Sequence, residues 1–245
     1  MITLNDKIII ITGGYGFLAR YWSDAIYQAG GLPILLDIKQ EKSKYTSYLC
    51  DITNELELLE AKKRILRKYG KIDGLINNAC NNPKIENGKS KFLSLEKFDV
   101  DVFKEDLNVN LVGSFLTTKV FGSYMASNNG GVILNIGSDL GIIAPDQRIY
   151  DVPKPVSYSV NKFGLIGLTK YTATYWNNIR CNYIALGGVF NNQPENFVKK
   201  LTNLIPLRRM ASPTEYNDTI VYLLSDASSY MTGSVITIDG GRTAW

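Results

Sequence analysis

Short apolar runs alternate with longer amphipathic stretches along most of the chain. The clearest run is Ile8-Ile-Ile-Ile11, and four consecutive β-branched residues are typical of a strand that is buried on both faces in a parallel sheet. Similar runs follow at 32–37, 45–50, 72–77, 132–136, 180–185 and 235–239. These runs predict about seven strands.

The stretches between the strands carry apolar residues at helical spacing. They predict helices over about 17–28, 54–69, 102–127 and 158–176. Residues 80–99 show neither an apolar run typical of a strand nor apolar residues at helical spacing, and they are expected to form a long surface loop. Because strands that alternate with helices pair in parallel through right-handed crossovers, we expect an α/β fold. The fold predicted for residues 1–245 is a single-domain, Rossmann-type, doubly wound parallel sheet with helices on both faces.

The first two predicted strands enclose a glycine-rich turn, Thr12-Gly-Gly-Tyr-Gly-Phe-Leu-Ala19, and the second strand ends at Asp37. This order is that of the unit that binds a dinucleotide, in which backbone N–H groups at a helix start approach the pyrophosphate. Asp37 is expected to hold the adenosine ribose hydroxyls. Its carboxylate would repel a 2′-phosphate, which favours NAD over NADP, although the neighbouring Lys39 works against that preference.

The composition is that of an ordinary globular protein of 245 residues, 45% hydrophobic and 20% charged. The net charge is +4, but the basic residues are scattered among acids, so neither nucleic acid nor a membrane is an expected partner. Cys50, Cys80 and Cys181 form no CxxC pair, and the chain has no histidine, so we expect reduced thiols and no metal site. The N-terminus has no signal-peptide pattern, and we expect a cytoplasmic protein.

Tyr158 and Lys162 are the residues around which the candidate chemistry is arranged. Four positions apart on a helix, their side chains share one face. A free phenol has a pKa of about 10, and a fixed cation beside it is expected to lower that value. Since the chain lacks histidine, Tyr158 is the candidate acid/base. In a doubly wound sheet the ligand lies beyond the carboxyl ends of the strands, which is where Ser138 also falls.

Several motifs together resemble the short-chain dehydrogenase/reductase family: TGGYGFLA at 12–19, NNA at 77–79, VNLVGSF at 109–115, LNIGS at 134–138, YSVNK at 158–162 and IRCNYIALGG at 179–188. The resemblance implies a catalytic tetrad of Asn110, Ser138, Tyr158 and Lys162. In it, Tyr158 transfers the proton, Ser138 holds the substrate oxygen, and Lys162 lowers the pKa of Tyr158 and binds the nicotinamide ribose. Asn110 would reach Lys162 through water, unless it serves only helix packing. The implied cofactor contacts are Gly13, Tyr15, Gly16, Phe17, Leu18, Asp37, Asp51, Ile52, Asn78, Ala79, Tyr158, Lys162, Gly187 and Val189.

The chain also departs from the family pattern. The glycine spacing is T-G-x-x-G-x-x-A, and Leu186-Gly187 stands where Pro-Gly is usual, so the loop over the nicotinamide is expected to be less rigid. The gap between Ser138 and Tyr158 is longer than usual, and its extra stretch, 143–155, is expected to form part of the substrate wall or else a solvated surface loop. Arg148 would offer a bidentate donor for an anion. The expected substrate contacts are Ser138, Arg148, Tyr150, Tyr158 and Gly188, with Lys154 as a further donor.

The insertion and the C-terminal end are similar to short-chain enzymes of flagellin-glycan and nonulosonic-acid pathways. This implies NAD-dependent oxidation or reduction of a secondary alcohol or ketone on a sugar or nucleotide-activated amino sugar. The alternatives are an NADPH-dependent 3-oxoacyl-thioester reductase and a catalytically silent NAD-binding regulator. The resemblance also implies a homo-oligomer, a dimer or tetramer, formed through the helices at 102–127 and 158–176.

Overall fold

A parallel β-sheet forms the centre of the computed structural model, which describes residues 2–82 and 94–245. Seven strands make up the sheet in the described part of the chain. They are β1 (Ile8–Thr12), β2 (Leu32–Asp37), β3 (Thr46–Leu49), β4 (Gly74–Asn77), β5 (Gly131–Ile136), β6 (Ile179–Leu186) and β7 (Val235–Ile238). Their order is β3-β2-β1-β4-β5-β6-β7, with parallel pairing throughout. The predicted doubly wound sheet is confirmed.

The alternation of side chains along β1 explains its continuous isoleucine run. Ile9 and Ile11 pack into one hydrophobic cluster with Trp22, whereas Ile8 and Ile10 pack into the cluster on the opposite face. All four are almost completely buried, and each contributes roughly 2 kcal/mol of hydrophobic free energy. Both faces of the sheet must therefore be covered by helices, as the sequence predicts.

The helices that cover the two faces differ in regularity. Those with regular α-helical geometry are Phe17–Gln28, Glu55–Tyr69, Val156–Tyr175, Glu195–Thr202 and Asn217–Leu224. We refer to Val156–Tyr175 as the Tyr158 helix and to residues 100–126 as the long helix. The long helix is continuous but contains two π-helical turns, Asn108–Val112 and Thr118–Gly122. The first of these turns carries Asn110.

Element boundaries differ from the sequence prediction in a few places. Strand β3 is shorter than 45–50, and β4 begins at Gly74 rather than at 72. The sequence analysis did not predict helices Glu195–Thr202 and Asn217–Leu224. Of the loop predicted over 80–99, residues 83–93 lie outside the described residues. Across the ranges that the structure describes, no helix has both the length and the apolar character needed to cross a membrane.

The strand order reverses between β1 and β4, which lie side by side although they are not consecutive. β1 leads to β2 on one side and β4 leads to β5 on the other, so the connecting segments diverge and leave a crevice beyond the carboxyl ends. The glycine-rich turn follows β1, Asn78 follows β4 and Ser138 follows β5. The topology therefore brings the main candidate residues to one edge of the sheet.

Candidate active site

Two adjoining cavities lie at this edge. The first has a volume of about 460 Å³ and is lined by Ser138, Tyr158 and Lys162 among others. The second has a volume of about 560 Å³ and is lined by the glycine-rich turn, Asp37 and Asp51. Both cavities share the lining residues Phe17, Leu18, Asn78, Cys80 and Asn82. The two cavities thus border on one another along a common wall and form an elongated crevice.

The glycine-rich turn is held tightly against the end of β4. The side-chain amide of Asn78 donates to the carbonyl oxygens of Thr12 and Gly13, at 2.9 and 3.1 Å. Gly13 has a φ of +61°, and a Cβ at this position would lie 2.9 Å from the Cα of Ala79. Only glycine fits such a position without strain. The turn therefore keeps its backbone bare and close to the crevice, which fits the approach of a pyrophosphate.

Two backbone N–H groups fix the carboxylate of Asp37 at the rim of the second cavity. The N–H of Tyr15 donates to Oδ2 at 3.0 Å, and the N–H of Lys39 donates to Oδ1 at 3.1 Å. Each carboxylate oxygen can accept further hydrogen bonds, so the group retains capacity for ribose hydroxyls. Asp51 borders the same cavity, with Oδ1 accepting from both the N–H and the hydroxyl of Thr53.

The residues predicted to contact the cofactor all line one of the two cavities. In the second cavity these are Gly13, Tyr15, Gly16, Phe17, Leu18, Asp37, Asp51, Ile52, Asn78 and Ala79. In the first they are Tyr158, Lys162, Gly187 and Val189. The bare backbone of the glycine-rich turn, the fixed carboxylate of Asp37 and the elongated crevice together fit a dinucleotide.

Tyr158 and Lys162 lie together at the first cavity. The ammonium of Lys162 is 5.6 Å from the centroid of the Tyr158 ring and donates to the carbonyl oxygen of Ile136 at 2.9 Å. Loss of hydration on burial raises the pKa of the Tyr158 phenol above its usual value, and the nearby Cys80 raises it further, while a hydrogen bond with Ser138 opposes both effects. The sequence predicts a lowered pKa, and that prediction is wrong here because burial outweighs the other influences.

Ser138 is bonded through its side chain to a buried ion pair. Its hydroxyl donates to Oδ1 of Asp139 at 2.9 Å, and Nη1 of Arg242 donates to Oδ2 of the same carboxylate at 2.8 Å. Both members of the pair are about 5% exposed or less. The C-terminal segment is thereby tied to the candidate catalytic serine. The sequence analysis missed both residues. The available signals were the acid directly after Ser138 and the arginine that follows Ile238-Asp-Gly-Gly241.

Tyr183, in the middle of β6, holds the backbone of Ser138. The N–H of Ser138 donates to the Tyr183 phenol at 3.0 Å, and the phenol donates to the Ser138 carbonyl oxygen at 3.2 Å. The ring fills the space that side chains at Gly137 and Gly141 would occupy. The sequence analysis missed this role as well; the signal was a large aromatic residue inside a buried strand.

Comparisons with known proteins identify the relatives of this chain. A family model described as enoyl-(acyl carrier protein) reductase matches residues 34–243. The chain is 31% identical to the 3-oxoacyl-[acyl-carrier-protein] reductase FabG of Thermotoga maritima, over 97% of the chain and 98% of that protein. It is 32% identical to a short-chain dehydrogenase of Leptospira borgpetersenii solved with bound NAD+, with a TM-score of 0.89 over 98% of this chain and 94% of that one. This chain belongs to the short-chain dehydrogenase/reductase family. It is also 29% identical to the post-translational flagellin modification protein A of Campylobacter coli, over 97% of the chain and 98% of that protein.

Membership in the short-chain dehydrogenase/reductase family makes the chain an oxidoreductase of alcohols or ketones that uses a nicotinamide cofactor. Three of the four tetrad positions, Ser138, Tyr158 and Lys162, line the first cavity.

The fourth tetrad position, Asn110, has a different arrangement. Its side-chain nitrogen donates to the carbonyl oxygen of Asn81 at 3.1 Å, and its side-chain oxygen accepts from the N–H of Asn81 at 2.6 Å. Its own carbonyl oxygen accepts from the hydroxyl of Ser114 at 2.9 Å. Asn110 lines neither of the two cavities. In this short-chain dehydrogenase/reductase the side-chain amide of Asn110 thus binds the backbone of the loop after β4, and its predicted link to Lys162 through water stays a prediction.

The insertion at 143–155 is anchored and is not a freely solvated loop. Ile149 is buried in a cluster with Phe197 and Leu201 of helix Glu195–Thr202. The ring of Tyr150 lies 5.5 Å from that of Phe197, and both rings line the first cavity. The insertion therefore forms part of the wall of this cavity, and its contact with a substrate stays a prediction. Gly188, another predicted substrate contact, also lines the cavity.

Arg148 is the predicted substrate contact that the structure does not bring to the site. Its guanidinium forms a two-point ion pair with Asp146, at 2.8 and 2.7 Å, and its side chain is 87% exposed. It is not part of the first cavity's lining. The prediction fails because an acid two residues away, which the sequence argument did not consider, holds the guanidinium at the surface.

Proposed function

We propose that this chain is an NAD-dependent enzyme that transfers a hydride between nicotinamide and a secondary alcohol or ketone, with Tyr158 as the general acid/base. The observation that carries the proposal is the convergence of Ser138, Tyr158 and Lys162 on a cavity that adjoins the crevice of Asp37 and the glycine-rich turn. This arrangement supports proton transfer beside a bound dinucleotide.

The chemistry follows from the side chains. In the oxidation direction the Tyr158 oxygen accepts the proton of the substrate hydroxyl, while a hydride leaves the carbon that bears this hydroxyl. In the reduction direction the same phenol protonates the ketone oxygen. Ser138 holds the substrate oxygen, and Lys162 holds the nicotinamide ribose and offsets part of the cost that burial imposes on a Tyr158 phenolate. When bound, the nicotinamide supplies the acceptor or donor of the hydride.

We assign NAD rather than NADP as the cofactor because of Asp37. Its two oxygens are fixed by backbone donors at the rim of the second cavity, so a 2′-phosphate would meet a carboxylate that cannot turn away. The Leptospira relative with bound NAD+ supports this assignment.

The substrate is assigned to the sugars, including nucleotide-activated amino sugars. The similarity to the flagellin modification protein supports this class, and so do the polar side chains of Asn82, Asn191 and Gln193 along the first cavity. The rival substrate is a 3-oxoacyl thioester, which the Thermotoga relative and the apolar wall of Phe197, Leu201 and Met210 favour. A catalytically silent regulator is disfavoured because Ser138, Tyr158 and Lys162 are all present.

A turnover screen tests the proposal. Purified protein is assayed for NADH or NADPH formation with polyols, aldoses and nucleotide-activated sugars, and for consumption of both with 3-oxoacyl thioesters. Turnover of a sugar with NAD supports the proposal. A clear preference for NADPH with acyl thioesters would replace it with the rival. Absence of hydride transfer across the panel would count against both.

Self-association and location complete the proposal. Val112 and Phe115 on the long helix, and Val160 and Phe163 on the Tyr158 helix, are 40–50% exposed. An apolar surface of this kind supports a homo-oligomer formed through the two helices. A monomer in light scattering at micromolar concentration would contradict it. The free thiols of Cys50, Cys80 and Cys181 support a cytoplasmic location.

A further inference from the structure

The helix that carries Tyr158 begins at a residue that cannot cap it. Pro155 stands at the N-cap position, and its side chain has no atom that accepts a hydrogen bond from the first turn. The first N–H groups of a helix have no partner within the helix, so an uncapped first turn opens more readily than the middle of the helix. Tyr158 lies in this first turn. The candidate acid/base therefore stands where its own helix holds it least.

Asp106, on the neighbouring long helix, holds this helix start from the side. Its Oδ2 accepts from the hydroxyl of Ser157 at 2.5 Å, and its carbonyl oxygen accepts from the side-chain amide of Asn161 at 3.2 Å. Ser157 and Asn161 are completely buried, and Asp106 is 7% exposed. Water cannot readily replace hydrogen bonds that are buried in this way. A single residue of the long helix thus fixes the first two turns of the Tyr158 helix.

The two residues that Asp106 binds directly precede the candidate catalytic residues. Ser157 stands before Tyr158, and Asn161 stands before Lys162. Because residues four apart share one face of a helix, the bound pair lies on one face and the catalytic pair lies on the next, about 100° away. A rotation of the helix by roughly 10° about its axis would move the phenol oxygen by about 1 Å. The contacts made by Asp106 oppose such a rotation.

A carboxylate suits this position between the two helices. Burial of a carboxylate is costly unless hydrogen bonds or positive charge compensate it. Asp106 obtains both, because Ser157 donates to it and because the start of a helix carries a partial positive charge. An apolar side chain would avoid the cost of burial but could not hold the Ser157 hydroxyl. The acid is therefore matched to the helix start that it contacts.

We propose that Asp106 is a positioning residue for hydride transfer, and that it keeps the Tyr158 phenol in place by binding Ser157. This inference rests on the proposed function, in which Tyr158 transfers the proton. Asp106 lines neither of the two cavities, so it acts on the reaction only through the helix that it holds. A misplacement of about 1 Å at a reacting group costs up to about 100-fold in rate.

Three variants test the contact between Asp106 and Ser157. Asp106→Leu removes the acceptor, Ser157→Ala removes the donor, and Asp106→Asn keeps an oxygen that can accept from the hydroxyl. We expect Asp106→Leu and Ser157→Ala each to lower kcat by about 10- to 100-fold. Asp106→Asn should stay within about 5-fold of the wild type, because it loses the charge but not the hydrogen bond. Wild-type kcat in both Asp106→Leu and Ser157→Ala contradicts the inference.

The double variant Asp106→Leu/Ser157→Ala shows whether the two residues act through one contact. Either single substitution already breaks that contact, so the second should add little to the first. We expect kcat of the double variant to lie within about 3-fold of the lower of the two single variants. Losses that multiply would show that the residues act independently, which contradicts the inference.

NADH binding separates a misplaced phenol from a loosened fold. The contact with Asn161 is made by the backbone of Asp106, so it remains in all of these variants. Lys162, which follows Asn161, should therefore keep its place. We expect the Kd of NADH in Asp106→Leu to stay within about 3-fold of the wild type, although kcat falls. A loss of NADH affinity as large as the loss of kcat would indicate general loosening and contradict the inference.

Thr169→Val is the matched control on the same helix. Thr169 is fully buried about three turns beyond Tyr158. Its hydroxyl accepts from the side-chain amide of Asn135 at 2.8 Å and donates to the carbonyl oxygen of Leu165 at 2.7 Å. The variant loses buried hydrogen bonds, so its free energy of unfolding should fall, as in Asp106→Leu, but its kcat should remain close to the wild type. Equal losses of kcat in Thr169→Val and Asp106→Leu contradict a positioning role.

Amide hydrogen exchange tests the inference without turnover. We expect the amides of residues 156–161 to exchange about 10-fold or more faster in Asp106→Leu and Ser157→Ala than in the wild type, and Thr169→Val to match the wild type there. Unchanged exchange in both Asp106→Leu and Ser157→Ala contradicts the inference. If the wild type transfers no hydride, or if Tyr158→Phe keeps wild-type activity, the proposed function is wrong, and hydrogen exchange still decides whether Asp106 holds the helix.

Discussion

The phenol of Tyr183 is hydrogen-bonded to both backbone polar atoms of Ser138, at 3.0 and 3.2 Å. A residue in the middle of β6 thus fixes the position of the candidate catalytic serine at the end of β5. The contact is possible because Gly137 and Gly141 leave room for the ring. The site depends on a packing contact between neighbouring strands as well as on the residues that face the cavity.

We expect Tyr183→Phe to lower kcat/KM by about 10- to 100-fold, because small displacements of a catalytic group cost rates of this order. The loss should fall mainly on kcat, with NADH affinity unchanged. Loss of the two hydrogen bonds should also lower the free energy of unfolding by about 1–3 kcal/mol. Steady-state kinetics, NADH titration and denaturant unfolding measure the three quantities.

Tyr216→Phe is the matched control for this prediction. Tyr216 is fully buried, and within the described residues its hydroxyl has no hydrogen-bond partner. Its removal should therefore leave kcat/KM and stability close to the wild type. Equal kinetics in wild type and Tyr183→Phe would show that the hydroxyl does not position Ser138.

The second prediction concerns the choice between NAD and NADP. Because the carboxylate of Asp37 is fixed by Tyr15 and Lys39, we expect kcat/KM with NAD to exceed that with NADP by about 100-fold. Asp37→Asn keeps the shape of the side chain but removes its charge. It should therefore lower the ratio of kcat/KM with NAD to kcat/KM with NADP by about 10-fold or more. Lys39→Gln is the control variant, because it removes the neighbouring positive charge and keeps the carboxylate of Asp37. A wild type that uses NADP as well as NAD would contradict the assignment to Asp37.

The ionisation of Tyr158 gives a third prediction. Since burial raises the pKa of this phenol above 10.0, its proton should remain bound throughout the range in which exposed tyrosines ionise. We expect spectrophotometric titration of wild type and Tyr158→Phe, without cofactor, to give the same phenolate absorbance below about pH 10. Excess phenolate in the wild type near neutral pH would instead show that Lys162 governs the phenol in the protein alone.

Two buried thiols predict a loss of stability in alkali. Burial raises the pKa of Cys50 and of Cys181 from 9.0 to about 12. The folded state thus keeps protons that the unfolded state loses. Their contribution to stability is complete below pH 9.0 and is lost as the pH rises from there towards 12.

The free energy of unfolding should accordingly decrease above pH 9.0, with a slope of up to about 1.4 kcal/mol per pH unit for each thiol. We expect Cys181→Ala to have a shallower slope than the wild type, whatever its absolute stability. Denaturant unfolding at several pH values measures the slope, and Cys80→Ser, which removes a partly exposed thiol, is the control. Parallel slopes in wild type and Cys181→Ala would contradict the prediction.

The sequence predicts the fold well because local patterns determine it. The isoleucine run of β1 and the glycine-rich turn each indicate their own structure, and each is confirmed. Contacts between distant parts of the chain could not be predicted in this way. Tyr183 reaches Ser138 across 45 positions, and Arg242 reaches Asp139 across 103. The error on Arg148 has a local cause, since its pairing with Asp146 depends on the turn that the insertion adopts.

The most direct test of the account is the rate of NADH formation by wild type and Tyr158→Phe on the best substrate of the screen. Removal of the phenol oxygen removes the proposed acid/base without changing the ring that lines the cavity. We expect kcat to fall by about 100-fold or more while NADH still binds. If Tyr158→Phe binds NADH and turns over at the wild-type rate, the central claim that this phenol transfers the proton is contradicted.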